Sequence, residues 1–233
     1  MSKSSRLMCF LLALIWGPSA FSATKITSVN RLKHTLEVVI ENDMARFNGG
    51  QKYHYQLINL KTQKTYTVNI QQGTAIDTSI PGTVPISKKV KIPKIKLKKI
   101  GKGPKIASYP TLHYQLLAND KVCENLFVSP KAAKLSDVQT MVKVMGEMAN
   151  ASKGAMLSAG GTPCRIANAL IFERFADIGV LMKSVNTEGK ISMQIKRIEV
   201  DVLVDENYFK IPKGVEVMNM QEMMDRLRAS IKK

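Results

Sequence analysis

The chain has 233 residues and carries 35 lysines and arginines against 18 aspartates and glutamates, a formal net charge of +17 at pH 7. This length suits one domain, or one domain with a helical lid, and is long enough to bury a hydrophobic core. Beyond the N-terminal region the sequence has no apolar run long enough to span a bilayer as a helix, which excludes further membrane spans.

The first residues have the pattern of a secretory signal peptide. Two basic residues precede the apolar run "LMCFLLALIW", which is too short to cross a hydrocarbon core of roughly 30 Å. A Gly-Pro break and small residues follow, as they do before a cleavage site. We expect cleavage between Ser22 and Ala23, so that residues 1–22 are removed and the protein reaches the periplasm. The alternative is an uncleaved membrane anchor.

Export changes the meaning of the positive charge. Removal of residues 1–22 removes two cations and no acid, together with Trp16, the single tryptophan. A strongly basic cytoplasmic protein would suggest nucleic acid, whereas outside the cytoplasm the common polyanions are membrane and envelope surfaces. We therefore expect no nucleic-acid partner.

The first half of the mature chain predicts a meander of antiparallel hairpins. Apolar and polar residues alternate over 36–40, 53–57 and 66–70, which is the period of a half-buried strand. Turn signals separate these segments, and a polar connection follows over 72–87.

The most basic segment is "KKVKIPKIKLKKIGKGPK" at 88–105, with nine lysines and no acid. Lys94, Lys96 and Lys98 alternate with apolar residues, so they share one face of a strand. Pro93 cannot donate to a sheet ladder, which places this strand at an edge, where lysines discourage aggregation. Contact with an anionic membrane surface is a further predicted function of these three lysines.

Two cysteines, Cys123 and Cys164, remain after cleavage. An even number in an exported chain favours a disulfide, and the alternative is two separate buried thiols. Neither cysteine has a CxxC neighbour and the histidines are scattered, so we expect no metal site.

Helical spacing begins at Ser136 and predicts a helix over 136–149, followed by helices over 163–176 and 219–232. The apolar residues of the first helix are Val138, Met141, Val142, Met145 and Met148. Methionine is flexible and suits surfaces that accept varied apolar partners. Ordinary core filling and a Cu(I) site are the alternatives for these methionines.

The apolar residues of segment 191–204 change parity. They lie at odd positions up to Ile195 and at even positions from Ile198. A strand cannot exchange its faces without an extra residue, so we predict a β-bulge near Lys196-Arg197, which would also bend the sheet.

No catalytic motif is present: the sequence has no Walker loop, GxGxxG, HExxH or GxSxG. We therefore expect a protein without enzymatic activity and without a cofactor. A hydrolase whose catalytic groups converge from distant positions is the alternative.

Five segments, which come in the order of the family and span most of the mature chain, together resemble a family of exported bacterial proteins with a domain of unknown function. That family is similar to the LolA/LppX-type lipoprotein-carrier half-barrels. The segments are "DMARFNGG", "YQLINLKTQKTYTV", "GKGPKIASYPTLHYQLLANDKVCENLFVSP", "TPCRIANALIFERF" and "IKRIEVDVLVDENYFKIPKG". The resemblance implies an α+β fold: a curved antiparallel β-sheet, an open half-barrel, with helices covering its concave face. In the better-known relatives that concavity holds acyl chains. The chain departs from them in its lysine-rich segment and in lacking identifiable ligand-gating residues.

These observations predict an exported, non-enzymatic protein that binds a lipid or another acylated amphiphile in an apolar cavity. The expected lining combines the helix 136–149 with the facing strand: Val138, Met141, Val142, Met145, Met148, Val200 and Val202. The alternative is a structural or interaction protein of the bacterial envelope with a filled core. An empty apolar cavity would favour the first function, and a packed interior the second.

The predicted cleavage site defines the mass of the mature protein. Protein recovered from the periplasm should have the intact mass of residues 23–233 and should show no tryptophan fluorescence, because Trp16 leaves with the signal peptide. Mass spectrometry of fractionated cells tests this, and a mass that includes residues 1–22 would contradict it.

Overall fold

The computed structural model describes residues 21–79, 91–158 and 160–231. Residues 1–20, which carry most of the predicted signal peptide, lie outside the described residues. Within these ranges the chain forms one sheet of twelve strands. The strands are β1 (Phe21–Asn30), β2 (Thr35–Glu41), β3 (Met44–Asn48), β4 (His54–Asn59), β5 (Thr65–Asn69), β6 (Thr74–Asp77), β7 (Ile95–Lys102), β8 (Leu112–Ala118), β9 (Lys121–Ser129), β10 (Val180–Asn186), β11 (Ile191–Val204) and β12 (Glu216–Asn219).

The sheet combines two antiparallel meanders. Its order is β12-β6-β5-β4-β3-β2-β1-β11-β10-β9-β8-β7, so one meander is β1 to β6 and the other is β7 to β11. The pairing of β1 with β11 joins them. At one edge β12 pairs with β6 in parallel orientation.

The helices are α1 (Ser136–Ser158), α2 (Pro163–Leu170), α3 (Phe175–Ile178) and α4 (Met220–Ile231), with a 3₁₀ turn between α2 and α3. α1 extends past the predicted end at 149 because its second half is packed: Leu157 is buried against α2. α4 begins with a capping box, in which the Asn219 and Glu222 side chains accept hydrogen bonds from each other's backbone N–H at 2.9 and 2.8 Å. None of the helices in the described ranges is long and apolar enough to cross a membrane.

The apolar residues form clusters on both faces of the sheet. The main core lies between α1 and the sheet and contains Ile40, Ile58 and Val138. A smaller cluster contains Leu57 and Val68, packed against residues of the segment between β11 and β12. Ile58 and Leu57 are neighbours along β4, and neighbours along a strand face opposite sides. The C-terminal segment therefore covers the face that α1 leaves open.

The predicted fold class is wrong. A curved antiparallel sheet, an open half-barrel with its concave face covered by helices, was expected. The sheet, which is not closed, is instead mixed and has twelve strands in the described ranges, and the helices that accompany it are few. The sequence pattern missed β6 and β12 because each has only four residues, too few to show a clear alternation. Their parallel pairing joins distant parts of the chain and has no local signature.

The predicted bulge in β11 is confirmed. Thr27 pairs with Arg197 and the next residue, Ser28, pairs with Ile195, so Lys196 is the extra residue. Ile195 and Ile198 both contact the main core. The bulge therefore keeps the apolar residues before and after it on the same face of β11, although their positions change from odd to even.

The predicted disulfide is also present. Cys123 of β9 and Cys164 of α2 are bonded, with their Cα atoms 5.3 Å apart. Both belong to a second cluster on the β8–β9 part of the sheet, with Leu116 and Ala167. The bond therefore fixes α2 to the sheet.

Breaking this bond should lower the free energy of unfolding. The 41-residue separation corresponds in chain-entropy terms to about 4 kcal/mol as an upper value. Urea denaturation with and without reductant measures the effect in the parent and in the Cys123→Ala/Cys164→Ala variant. We expect reductant to shift the midpoint of the parent only; equal midpoints of oxidised and reduced parent protein would contradict this stabilising role.

Candidate functional site

A cavity of about 720 Å³ lies between α1 and the sheet. Pockets that bind small molecules commonly measure about 300–1,000 Å³. Most of the lining is apolar, contributed by the sheet, by α1 and by the segment from the 3₁₀ turn to α3. The apolar residues are Ile26, Leu36, Val38, Phe47, Met141, Val142, Met145, Phe172, Phe175, Val180, Leu181, Met193 and Ile195.

The floor of the cavity changes from apolar to polar across the sheet. One row of paired positions runs from β1 to β5 through Ile26, Val38, Phe47, Gln56 and Thr67. All five line the cavity. The β1–β3 side of the floor is therefore apolar, and the β4–β5 side presents groups that can form hydrogen bonds.

The roof of the cavity is held over the sheet by α1. Near the start of this helix the Thr24 hydroxyl donates a hydrogen bond to Asp137 at 2.8 Å. In its middle, the Gln63 side chain donates to Glu147 at 2.8 Å. These contacts tie α1 to β1 and to the β4–β5 turn, on two sides of the cavity.

Two phenylalanines form one wall. The rings of Phe172 and Phe175 are perpendicular, with centroids 5.7 Å apart, which is a favourable edge-to-face arrangement. Phe175 is buried, whereas Phe172 is 44% exposed although it lines the cavity. Phe172 therefore lies at an opening to solvent.

Among the described residues, the cavity lining carries no lysine or arginine, and the one carboxylate there is compensated. Glu37 forms an ion pair with Lys25 at 2.8 Å. The hydrogen bond to Glu37 raises the pKa of Lys25 above its ordinary value, against the opposing effect of burial. The other polar lining residues include Gln51, His54 and Gln56. The site is therefore suited to an apolar group with an uncharged polar end.

The predicted cavity residues of α1 fall into two groups. Met141, Val142 and Met145 line the cavity. Val138 is fully buried in the main core, and Met148 packs against that core. Helical periodicity thus predicts which side chains of α1 face the sheet. The position of each along the helix determines whether it packs in the core or lines the cavity.

Val200 and Val202 do not line the cavity, and Val200 is 49% exposed. The pairing of β1 with β11 has a second irregularity here, since Ala23 pairs with Val202 while Lys25 pairs with Glu199. Asp201, with a φ of 57°, lies at this point. The second bulge breaks the alternation that placed these valines on the helix-facing side.

The strand residues that do line the cavity on β11 are Met193 and Ile195. Both residues precede the bulge at Lys196 and lie at odd positions, as the alternation in the sequence indicates.

On β4 the alternation predicted over 53–57 includes Leu57, which belongs to the cluster on the opposite face of the sheet. Gln56 lines the cavity, as its neighbours His54 and Tyr55 also do. Hydrophobic alternation does not select Gln56, because it assumes that inward positions are apolar.

The predicted edge position of the lysine-rich strand is confirmed: β7 is the last strand of the sheet. Lys96 and Lys98 are exposed, while Ile95 and Leu97 between them are half-buried against the disulfide cluster. Lys94 directly precedes the strand, and its backbone N–H donates to the Asn119 side chain at 2.9 Å.

One of these lysines is compensated by an acid. Lys96 forms an ion pair with Asp120, and this hydrogen bond raises the pKa of Lys96. Both groups are exposed, so the pair adds little stability. In residues 21–79, 91–158 and 160–231, no group of three His, Cys, Asp or Glu side chains is placed to hold a metal ion.

Comparison with known proteins does not assign this chain to a family. No family model matches the chain, and no curated protein sequence matches it. Among solved structures it is similar to MucB, with a TM-score of 0.32 and 9% identity over 85% of this chain and 59% of that chain. The match to the MucA/MucB complex of Pseudomonas aeruginosa has a TM-score of 0.32 and 11% identity over 85% of this chain and 58% of that chain. The chain thus spans less than two-thirds of either, and a TM-score of this size is too low to assign a shared fold.

The exposed lysines of the β7 edge generate a prediction. Replacing Lys94, Lys96 and Lys98 with Gln should leave the thermal midpoint unchanged and weaken binding to anionic vesicles at low salt. Each lysine near such a surface contributes at most about 1 kcal/mol. Vesicle co-sedimentation and circular dichroism measure the two effects.

The control replaces three exposed lysines elsewhere, Lys33, Lys61 and Lys213, and has the same net charge. Equal weakening in both triple variants would show that net charge alone matters. No vesicle binding by the parent would leave protection against edge-to-edge aggregation as the function of these lysines.

Proposed function

We propose that this chain is an exported, non-enzymatic binding protein of the bacterial cell envelope, and that its ligand inserts an apolar group into the cavity under α1. The observation that carries this proposal is the cavity itself, about 720 Å³ with predominantly apolar walls. A domain with a purely structural role is expected to fill such a space, because protein interiors pack as densely as organic crystals.

The chemistry of the cavity favours a lipid or another acylated amphiphile as the ligand. A long apolar chain fits beside Ile26, Val38 and Phe47, and the methionine side chains of the roof can adapt to its shape. Gln56 and Thr67 would bind an uncharged polar portion, such as an ester or amide. A free carboxylate would find no lysine or arginine among the lining residues that the structure describes.

Two features support a location outside the cytoplasm. The N-terminal sequence has the pattern of a signal peptide, and the Cys123–Cys164 disulfide suits an oxidising compartment. If Ser22 is the last residue removed, β1 keeps its pairing with β2, which begins at Thr24.

A second candidate function is an envelope interaction protein that binds another protein. The observation in its favour is a group of apolar residues on β12 and α4 that are 40–53% exposed: Val217, Met220, Met224 and Leu227. Tightly bound partners commonly cover such residues. This function does not require the cavity to be open in solution.

A tryptophan in the roof separates the two functions. Met145→Trp should lower the affinity for a fluorescent acyl probe at least tenfold, because the indole occupies the cavity. The free energy of unfolding should change little, since the space is already present. Fluorescence titration and urea denaturation measure these quantities.

The matched control is Met224→Trp on exposed α4, which should bind the probe as the parent does. If the parent takes up no probe and Met145→Trp is destabilised by the roughly 1–3 kcal/mol typical of overpacking, the interior is filled. The binding function would then be wrong, and the interaction function would stand.

A further inference from the structure

A second, basic pocket lies at the bulge of β11. It measures about 380 Å³, and none of its described lining residues belongs to the cavity under α1. Three separate segments form it: the turn 106–109, Lys131 after β9, and residues 196–198 of β11. Its cationic residues are Lys131, Lys196 and Arg197.

The bulge brings two of these cations together. In a regular strand, successive residues face opposite sides of the sheet, so Lys196 and Arg197 would be separated. Here Lys196 is the extra residue of the bulge, and both side chains are exposed and line the same pocket. The core contacts of Ile195 and Ile198 hold this arrangement from either side.

The turn opposite the bulge is held in an uncommon conformation. Ile106 and Tyr109 exchange backbone hydrogen bonds of 3.0 and 2.9 Å, and the two residues between them, Ala107 and Ser108, have φ values of 48° and 69°. Such turns normally use asparagine or glycine. Backbone conformations of this kind concentrate at functional sites, and this one places Ser108 in the wall of the pocket.

The positive charge of the pocket is only partly compensated. Arg197 donates to Glu199 at 3.2 Å. Among the described residues, Lys131 and Lys196 form no ion pair. A guanidinium, two ammonium groups and a hydroxyl around one concave surface are the donors that proteins use for phosphate oxygens.

We propose that this pocket binds a phosphate group through Lys131, Lys196 and Arg197. The phosphate could belong to a phospholipid headgroup or could be free in solution. The proposal does not depend on the function of the cavity under α1, because the two sites have no described residue in common.

The test uses the mature chain and two probes, inorganic phosphate at constant ionic strength and vesicles of phosphatidylglycerol in phosphatidylcholine. The Lys196→Gln/Arg197→Gln variant should lose at least tenfold in phosphate affinity by calorimetry. The control, Lys33→Gln/Lys61→Gln, removes the same charge from the exposed β1–β2 and β4–β5 turns and should stay within twofold of the parent. The variant Lys131→Gln provides the test if the double variant fails to fold, because Lys131 lies outside the sheet and its replacement leaves the bulge unchanged. It should also weaken phosphate binding.

Competition between the probes identifies the source of the phosphate. If the vesicles displace inorganic phosphate, the ligand is a lipid headgroup; if they do not, it is a free phosphate compound, and both outcomes support the site. Absence of saturable phosphate binding by the parent overturns the proposal. Equal losses in the pocket and control variants, or binding of poly-glutamate in place of phosphate, also overturn it.

Discussion

The pairing of β1 with β11 is the interaction on which the rest of the structure depends. It joins the β1–β6 meander to the β7–β11 meander, and no other antiparallel pairing of described strands does so. The floor of the cavity lies across this junction, with Ile26 on β1 and Ile195 on β11. A change in the register of these two strands would therefore move one half of the floor relative to the other. The two irregularities of this pairing decide which side chains reach the helix-covered face.

A single extra residue separates two chemically different sites on β11. Ile195 lines the apolar cavity, whereas Lys196 and Arg197 line the basic pocket. Without the bulge, the alternation of the strand would turn one of these cations toward the apolar side. Burial of an unpaired cation there would be costly. The same feature thus protects the core and concentrates charge at the surface.

The sequence predicts those features that have a local physical signature. Alternation marks β2, β4 and β5, the lysines and proline mark β7 as an edge strand, and the parity change marks the bulge. Helical spacing likewise selects Met141 and Met145. The fold class was wrong because β6 and β12 are short and pair in parallel across a long stretch of chain, and such pairing depends on tertiary contacts alone. The polar floor at Gln56 was missed for a related reason, since hydrophobic alternation assumes that every inward position is apolar.

The position of β1 also has a kinetic consequence. Ala23 pairs with Val202, so the first strand of the fold can pair with β11 only when most of the chain is available. Contacts that close such long loops form slowly. Until β11 arrives, one edge of β1 presents unpaired backbone groups that another chain could bind. When a protein crosses a membrane starting from its N-terminus, a strand such as β1 emerges before β11. The interval before β11 emerges is then the time of greatest risk of aggregation.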